Sequence, residues 1–536
     1  MIALQRMLNR NIRNFIIGLI AVAILSYCYQ GKKTPNDNIL VYNQHNAITS
    51  LDPAFARSQA NVWVIDHIFN GLVSLNDSGG IIPAIAKSWV ISKDGLKVVF
   101  TLRDDVFFQK NKCFPNGARR VVANDIVFSF NRIIDKKVAS PGSWIFNGLV
   151  DTLRPFVALN DSTFEIKLQR PFAPLLGLLT MPYCSVIPQE AVAYYGSDFR
   201  KNPVGTGPFI FKKWIEGQGL FLTKSNQYYE KGWPKIEGIR VTNIQDRNTA
   251  FVELKSGNIH LMSGIESSYA YDLLDEEGKL KSHYRDKLIF SSAPFLNTEY
   301  LGFNVTNLPR DHPLRDIRIR RAIALAIDKQ TLVRVLRNSI GTPAYAGFCP
   351  NGLSTFDDKL VGNVYDPVKA KKMISEFGRA PIKITLNLSK DYLDLCTTIA
   401  RQLAEIGVTV ELQLMDAATL REGMRQGNVS FFRGSWIGDY PDAENFFSVF
   451  YSKNGAPPNY TRFKNEEFDA LYLNFLGESD FNKKKDLSRR MEEILIENVP
   501  LIPLFYDKSA LIYSNRIKNL HSNPLNIPKF KYITLE

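Results

Sequence analysis

The sequence has little cysteine and histidine. It carries five cysteines and six histidines in 536 residues. Cys113, Cys184, Cys349 and Cys396 are widely scattered, with no C-x-x-C pair and no metal-ligand spacing. An oxidising compartment would permit disulfides, yet the spacing points to no pairing. His45, His67, His260, His283, His312 and His521 stand alone and form no H-E-x-x-H. The GSWIG stretch at 434–438 is not a G-x-S-x-G elbow. An exported hydrolase such as a peptidase therefore has no motif to support it. We expect no enzyme, no metal and no cofactor. Long basic runs are also missing. The longest is Lys483-Lys484-Lys485, so the formal charge of +13 is dispersed and does not point to nucleic acid. It suits attraction to an anionic membrane surface, or simple solubility. No internal repeat or low-complexity tract occurs.

Acidic residues are absent from the start of the chain, the first being Asp37. Arg6, Arg10 and Arg13 form an unopposed basic region. Residues 15–27, FIIGLIAVAILSY, follow without a charge. A run this short suits the apolar core of a signal peptide better than a membrane span, which needs roughly 20 apolar residues. Cys28 comes next. The order Leu25, Ser26, Tyr27, Cys28 resembles a bacterial lipobox, in which the cysteine is lipidated after cleavage, although Tyr27 is larger than the usual residue there. We expect 1–28 to be an export signal with Cys28 as lipidation site, and 29–37 to be a polar tether. The folded body then sits outside the cytoplasm. Hydrophobic content of 45% and charged content of 22% are ordinary for a globular protein. The length is enough for two or more domains.

Along the body, strand and helix signals alternate. Residues 38–43 read as a strand, 49–56 as a turn, and 62–73 as a helix with Gly71 near its end. Asp94-Gly95 sits between alternating runs over 89–108, a hairpin signal. Residues 123–134 read as a helix that Asn124 or Asp125 can cap, and 162–172 as a strand. Gly205 and Gly207 in PVGTGPF lack the lysine and the strand–loop–helix context of a phosphate loop, so they predict a tight turn feeding a strand. Residues 236–244 predict a strand, and 247–262 a helix stopped at Gly257 and then a strand. A strand is expected at 300–305. The strongest helical pattern is 314–336, and 366–378 is a helix ended by glycine. Residues 383–415 read strand–helix–strand with Gly407 as helix stop, a βαβ unit. A strand at 428–436 then delivers Arg433 and Asp439, whose charges lie at most about 20 Å apart if extended. That is the scale of a short zwitterionic peptide. Ligands of open α/β sheets gather beyond the strand carboxyl ends.

Several ordered stretches, SLDPAFA (50–56), 81–108, ANDIVFSF (123–130), PVGTGPF (203–209), 313–328, GDYPDAENFF (438–447), NYTRFKNEEFDAL (459–471) and PLIPLFY (500–506), resemble the bacterial solute-binding proteins of family 5, the peptide/nickel ABC-transporter type. The resemblance covers roughly residues 38–510. It implies an α/β, two-lobe periplasmic-binding-protein-like fold (type II) with an extra α+β domain. Lobe I would comprise 38–69, 199–290 and 507–536, the additional domain 70–198, and lobe III 291–506. It further implies a monomeric receptor that captures oligopeptide between hinged lobes for an ABC permease. Dipeptide, nickel chelate or haem binding and non-transporting sensing are the alternatives. By the same resemblance, Asp439 pairs with the ligand's α-ammonium and Arg433 meets its carboxylate. Main-chain groups around Ser435 and Ile437, and near Arg57, Ser58 and Gln59, pair with an extended ligand. Trp436 supplies apolar contact, and Asp442 and Glu444 are rim or cap residues.

Overall fold

The computed structural model describes residues 38–378, 381–520 and 523–536. The expected export signal, Cys28, the tether and His521 lie outside them. Among the described residues no helix is long and apolar enough to cross a membrane, and Cys113, Cys184, Cys349 and Cys396 are free thiols.

One mixed sheet runs through the molecule. Its strands follow the order Val408–Met415, Ile382–Ser389, Phe431–Ile437, Leu288–Phe303, Leu501–Ser514, Leu261–Ser263, Ile39–Asn43, Gly238–Thr242, Gly219–Lys224 and Phe209–Ile215. Strands Ile382–Ser389 and Val408–Met415 pair in parallel around helix Leu393–Glu405, the expected βαβ unit. Gly407 follows that helix at φ +87°, a left-handed turn that glycine adopts without strain. Ile39–Asn43 is parallel to Gly238–Thr242 and buries Leu40 and Tyr42 on one face. A separate antiparallel sheet holds Ala86–Ile91, Lys97–Leu102, Thr163–Lys167 and Phe156–Asn160. The expected Asp94-Gly95 hairpin lies within it.

The apolar cores show why the chain is organised in this way. One large core joins Leu40, Tyr42 and Trp63 to Phe100, Phe130 and Phe164, so the four-stranded sheet and one half of the main sheet share an interior. Two further cores fill the other half, around Ile323 and Leu403 and around Phe446, Phe468 and Met491. Two long strands, Leu288–Phe303 and Leu501–Ser514, pass between the halves as an antiparallel pair. Their pairing is interrupted between Pro294 and Thr298, where proline cannot donate a ladder hydrogen bond.

Local chemistry accounts for several boundaries. The helix expected at 62–73 runs instead from Gln59 to Ile68, because Ser58 accepts from the Asn61 amide and starts it earlier. In helix Ala123–Ile134 it is Asp125 that caps, reaching back to the Val122 amide at 2.9 Å. The pattern at 314–336 is broken. Ile317–Ala326 ends, and Asp328 caps a new turn by accepting from Thr331. Gly205 and Gly207 lie against the end of the Gln59–Ile68 helix. A Cβ on Gly207 would stand 2.5 Å from the Ile68 carbonyl carbon, so close backbone approach explains glycine there.

Candidate ligand-binding cleft

A cleft of about 760 Å³ opens between the two halves. Residues 56–59 and 180–183 line one side. Residues 336–338, 391–392 and 437–439 line the other, and 507–510 come from the crossing strand. A volume of this size holds a small organic molecule.

Strand Phe431–Ile437 builds the second wall. It pairs antiparallel with Leu288–Phe303, Tyr300 opposite Gly434 and Gly302 opposite Phe432. Each aromatic ring lies over the glycine facing it. A Cβ on Gly434 would come 2.6 Å from the Tyr300 ring, and one on Gly302 would strike the Phe432 ring. This reciprocal fit fixes the register. With period-two alternation, Arg433, Ser435 and Ile437 then share the face opposite Phe432, Gly434 and Trp436. Beyond the strand, the Gly438 amide donates to Leu296 O at 2.6 Å and turns the chain. Asp439 is thereby presented to the cleft.

The expected site residues divide. Asp439, Ile437, Arg57, Ser58 and Gln59 all line the cleft. Arg433, Ser435 and Trp436 do not. Arg433 is 6% exposed, forms an ion pair with Glu299, and lies 3.0 Å from the Tyr392 ring centre. Burial pushes its guanidinium down to about 9, and Asp507 opposes that shift. A charge already neutralised inside the protein has no reason to seek a ligand carboxylate, so the expected role of Arg433 does not fit its place. Trp436 donates its indole N–H to Asn445 Oδ1 at 3.2 Å. Asp442 and Glu444 are not cleft residues either. Asp442 pairs with Lys484 at 2.6 Å, and Glu444 is buried where the hydroxyls of Tyr440 and Tyr472 donate to it.

Asp439 is different. Solvent reaches it through the cleft, yet surrounding protein raises its pKa by desolvation, and only the Asn445 side chain counteracts this. That hydrogen bond is long, 3.4 Å. Among the described residues no cation pairs with it. Arg57, exposed on the opposite wall, also has no ion pair among the described residues, whereas Arg247 is bound to Glu266 at 3.0 Å and Arg337 to Asp507 at 2.8 Å. Tyr183 lines the same cleft as these two charges. Burial is the main cause of its raised pKa, pushed up to about 12, with Asp439 adding to the shift and Arg57 opposing it. Sequence reading missed Tyr183, Tyr392, Arg247 and Asp507. Each comes from a segment far along the chain from 433–439, and no local pattern marks it.

The arrangement offers an anion and a cation on facing walls, with no nucleophile–base pair among these lining residues. Among the described residues no cluster of His, Cys, Asp or Glu is arranged to hold a metal. The model for bacterial extracellular solute-binding proteins, family 5 Middle, matches residues 80–458. Heme-binding protein A of Haemophilus influenzae is 26% identical over 530 residues, covering 94% of this chain and 93% of that protein. Glutathione-binding protein GsiB of Salmonella typhimurium is 26% identical over 482 residues, covering 88% and 89%. The periplasmic binding protein DppA of Helicobacter pylori, solved with the peptide STSA, superposes with a TM-score of 0.76 at 24% identity, covering 93% of this chain and 98% of that one. The two halves, the pair of crossing strands and the cleft between them are thus the type II periplasmic-binding-protein fold. With the family match spanning most of its length, the chain belongs to the bacterial extracellular solute-binding proteins, family 5.

Proposed function

We propose that this chain is the extracytoplasmic receptor of an ABC importer, capturing short peptides in the cleft and handing them to the permease. Its two moving parts would be lobe I (38–69, 199–290, 507–536) with the additional domain 70–198, and lobe III (291–506). The leader would direct export and Cys28 would carry the anchor. The observation that supports this reading best is the uncompensated Asp439 carboxylate. Confining an anion in a partly dehydrated wall is unfavourable until a cation arrives. A peptide α-ammonium supplies one, and closure over it strengthens the attraction by excluding water. GsiB is named for glutathione, itself a tripeptide with a free amine, and the Helicobacter protein was solved with a peptide. Both ligands carry the charged ends that this cleft would recognise.

Two measurements test this. Mass spectrometry of small molecules released from the purified protein should detect peptides. Calorimetry should show trialanine binding, with N-acetyl-trialanine and the Asp439→Asn variant both weakened about 10- to 100-fold, the range of one charge-assisted hydrogen bond. Equal affinity for the acetylated and free peptides would sink the role of Asp439.

A further inference from the structure

Away from the cleft, two buried ionisable groups meet at one connection. Thr342 and Pro343 pair with Tyr506 and Phe505 of a crossing strand, and the chain continues through residues 344–349 as a strap. The Tyr506 hydroxyl donates to Gly347 O at 2.8 Å, and Thr298 of the other crossing strand donates to Phe348 O at 2.8 Å. Each end of the strap is held by an ionisable side chain. Lys329 Nζ donates to Ala344 O at 2.7 Å. Glu492, on helix Phe481–Asn498, accepts from the amides of Phe348 at 2.8 Å and Cys349 at 2.7 Å. A Cβ on Gly347 would strike the Glu492 carboxylate, so the strap backbone lies directly against it. Lys329 is 2% exposed and Glu492 3%. Both line one cavity of about 20 Å³, yet neither forms an ion pair among the described residues. Asp328 precedes Lys329 but accepts from Thr331, and the Tyr345 ring centre lies 5.2 Å from Lys329 Nζ. Glu492 faces the Cys349 thiol and the Tyr506 hydroxyl, both pushed well up by burial first and by Glu492 next. Asp442 also acts on Cys349, but it is bound to Lys484. On the helix itself Arg489 pairs with Glu493 and Asp357. The 362–363, 495–496 and 501–503 segments that complete the cavity carry no charge. Burial lowers Lys329 to about 7 and raises Glu492 to about 7, the two strap amides opposing the second shift.

We propose that the strap 344–349 is a proton-controlled latch between the crossing strands and helix Phe481–Asn498, loosest near neutral pH, with Glu492 locking it in acid and Lys329 locking it in alkali. Opening the strap returns each group to water and to its ordinary proton affinity. Closed, Glu492 holds its proton more tightly than open, so opening becomes easier as pH rises from 4.5 to about 7 and no easier beyond. Closed, Lys329 holds its proton less tightly than open, so opening becomes harder as pH climbs above about 7. The two effects together put the weakest connection near neutrality, where most proteins are most stable. The Phe348 ring packs edge-on against Tyr300, whose ring covers Gly434 on the strand that leads to Asp439. The latch therefore bears on the cleft wall, whatever the ligand.

Hydrogen exchange of the ligand-free full chain, read by mass spectrometry and corrected for intrinsic rates, tests this between about pH 5 and pH 9. Protection of the Phe348 and Cys349 amides should fall from about pH 5 to 7, by up to about tenfold per pH unit, and recover above about pH 8. Glu492→Gln should abolish the fall and keep the recovery. Lys329→Met should abolish the recovery and keep the fall. Strand Ile382–Ser389 should follow neither limb. Should either variant fail to fold, the wild-type profile still decides. A flat profile overturns the latch. A fall without recovery overturns the part of Lys329, and a recovery without a fall that of Glu492. A parallel change in Ile382–Ser389 would assign the effect to whole-protein unfolding and overturn a local device.

Discussion

Arg433 and Asp439 stand six residues apart on one strand and its turn, and they meet opposite fates. Arg433 points back along the sheet face into the protein, where Glu299 and Tyr392 enclose it. Asp439 lies past the strand end, on the cleft wall, with no cation beside it among the described residues. The interior end of the strand contains a balanced pair, and the outer end an unbalanced charge. A balanced buried pair serves the integrity of the sheet. An unbalanced charge in a cleft is stability withheld until a ligand supplies its partner.

The sharpest way to break this comparison is to orphan the inner charge. Glu299→Ala leaves a buried guanidinium without its acid and should cost about 3–5 kcal/mol in chemical denaturation. A cost under about 1 kcal/mol would mean that the pair is not what holds Arg433. Next comes the strand that carries both charges. Gly434→Ala forces the Tyr300 ring away from the backbone it covers, and overpacking of this kind costs about 1–3 kcal/mol. It should also weaken trialanine, because the Asp439 turn would move with the strand; a destabilised variant with unaltered affinity would uncouple the two.

Asp439 itself should behave in the reverse sense. Its pKa in the folded state is raised by burial. The group therefore favours folding while protonated, and that contribution disappears as pH rises through its titration. At neutral pH Asp439→Asn should leave the ligand-free protein as stable as the wild type, or slightly more so, measured as melting temperature. Affinity for trialanine should climb as pH is raised from acid toward neutral, since only the ionised carboxylate attracts the ammonium; Asp439→Asn should flatten that profile. The smallest effect belongs to a pair that is neither buried nor waiting. Arg318 and Asp316 meet at 2.6 Å with the arginine side chain 63% exposed. Losing such a surface pair through Arg318→Ala should leave both the denaturation midpoint and binding essentially unaltered.

Much of the framework was readable from local pattern. The βαβ unit at 383–415, the Asp94-Gly95 hairpin and the turn through Gly205 and Gly207 all follow from periodicity and turn chemistry, and each lies where expected. Boundaries failed where a cap outweighed hydrophobic spacing, as at Ser58, or where an internal aspartate restarted a helix, as at Asp328. The segment 433–439 stood out because a cation and an anion bracket a strand end. The family resemblance, not spacing along the chain, grouped Asp439, Ile437 and the 57–59 segment, and these residues line one cleft. It could not separate Arg433 from them.

Sequence by itself determined where strands and helices form, because propensity, capping and period act over a few residues. It also determined that Asp439 would follow a strand end. Tertiary structure alone decided which charges are spoken for. Glu299 and Asp507 belong to the two crossing strands, far from position 433 in the chain, and they approach it only when those strands assemble beside it. Electrostatic partnership depends on distance through space and on the water excluded between the groups, and neither is written in the order of the residues.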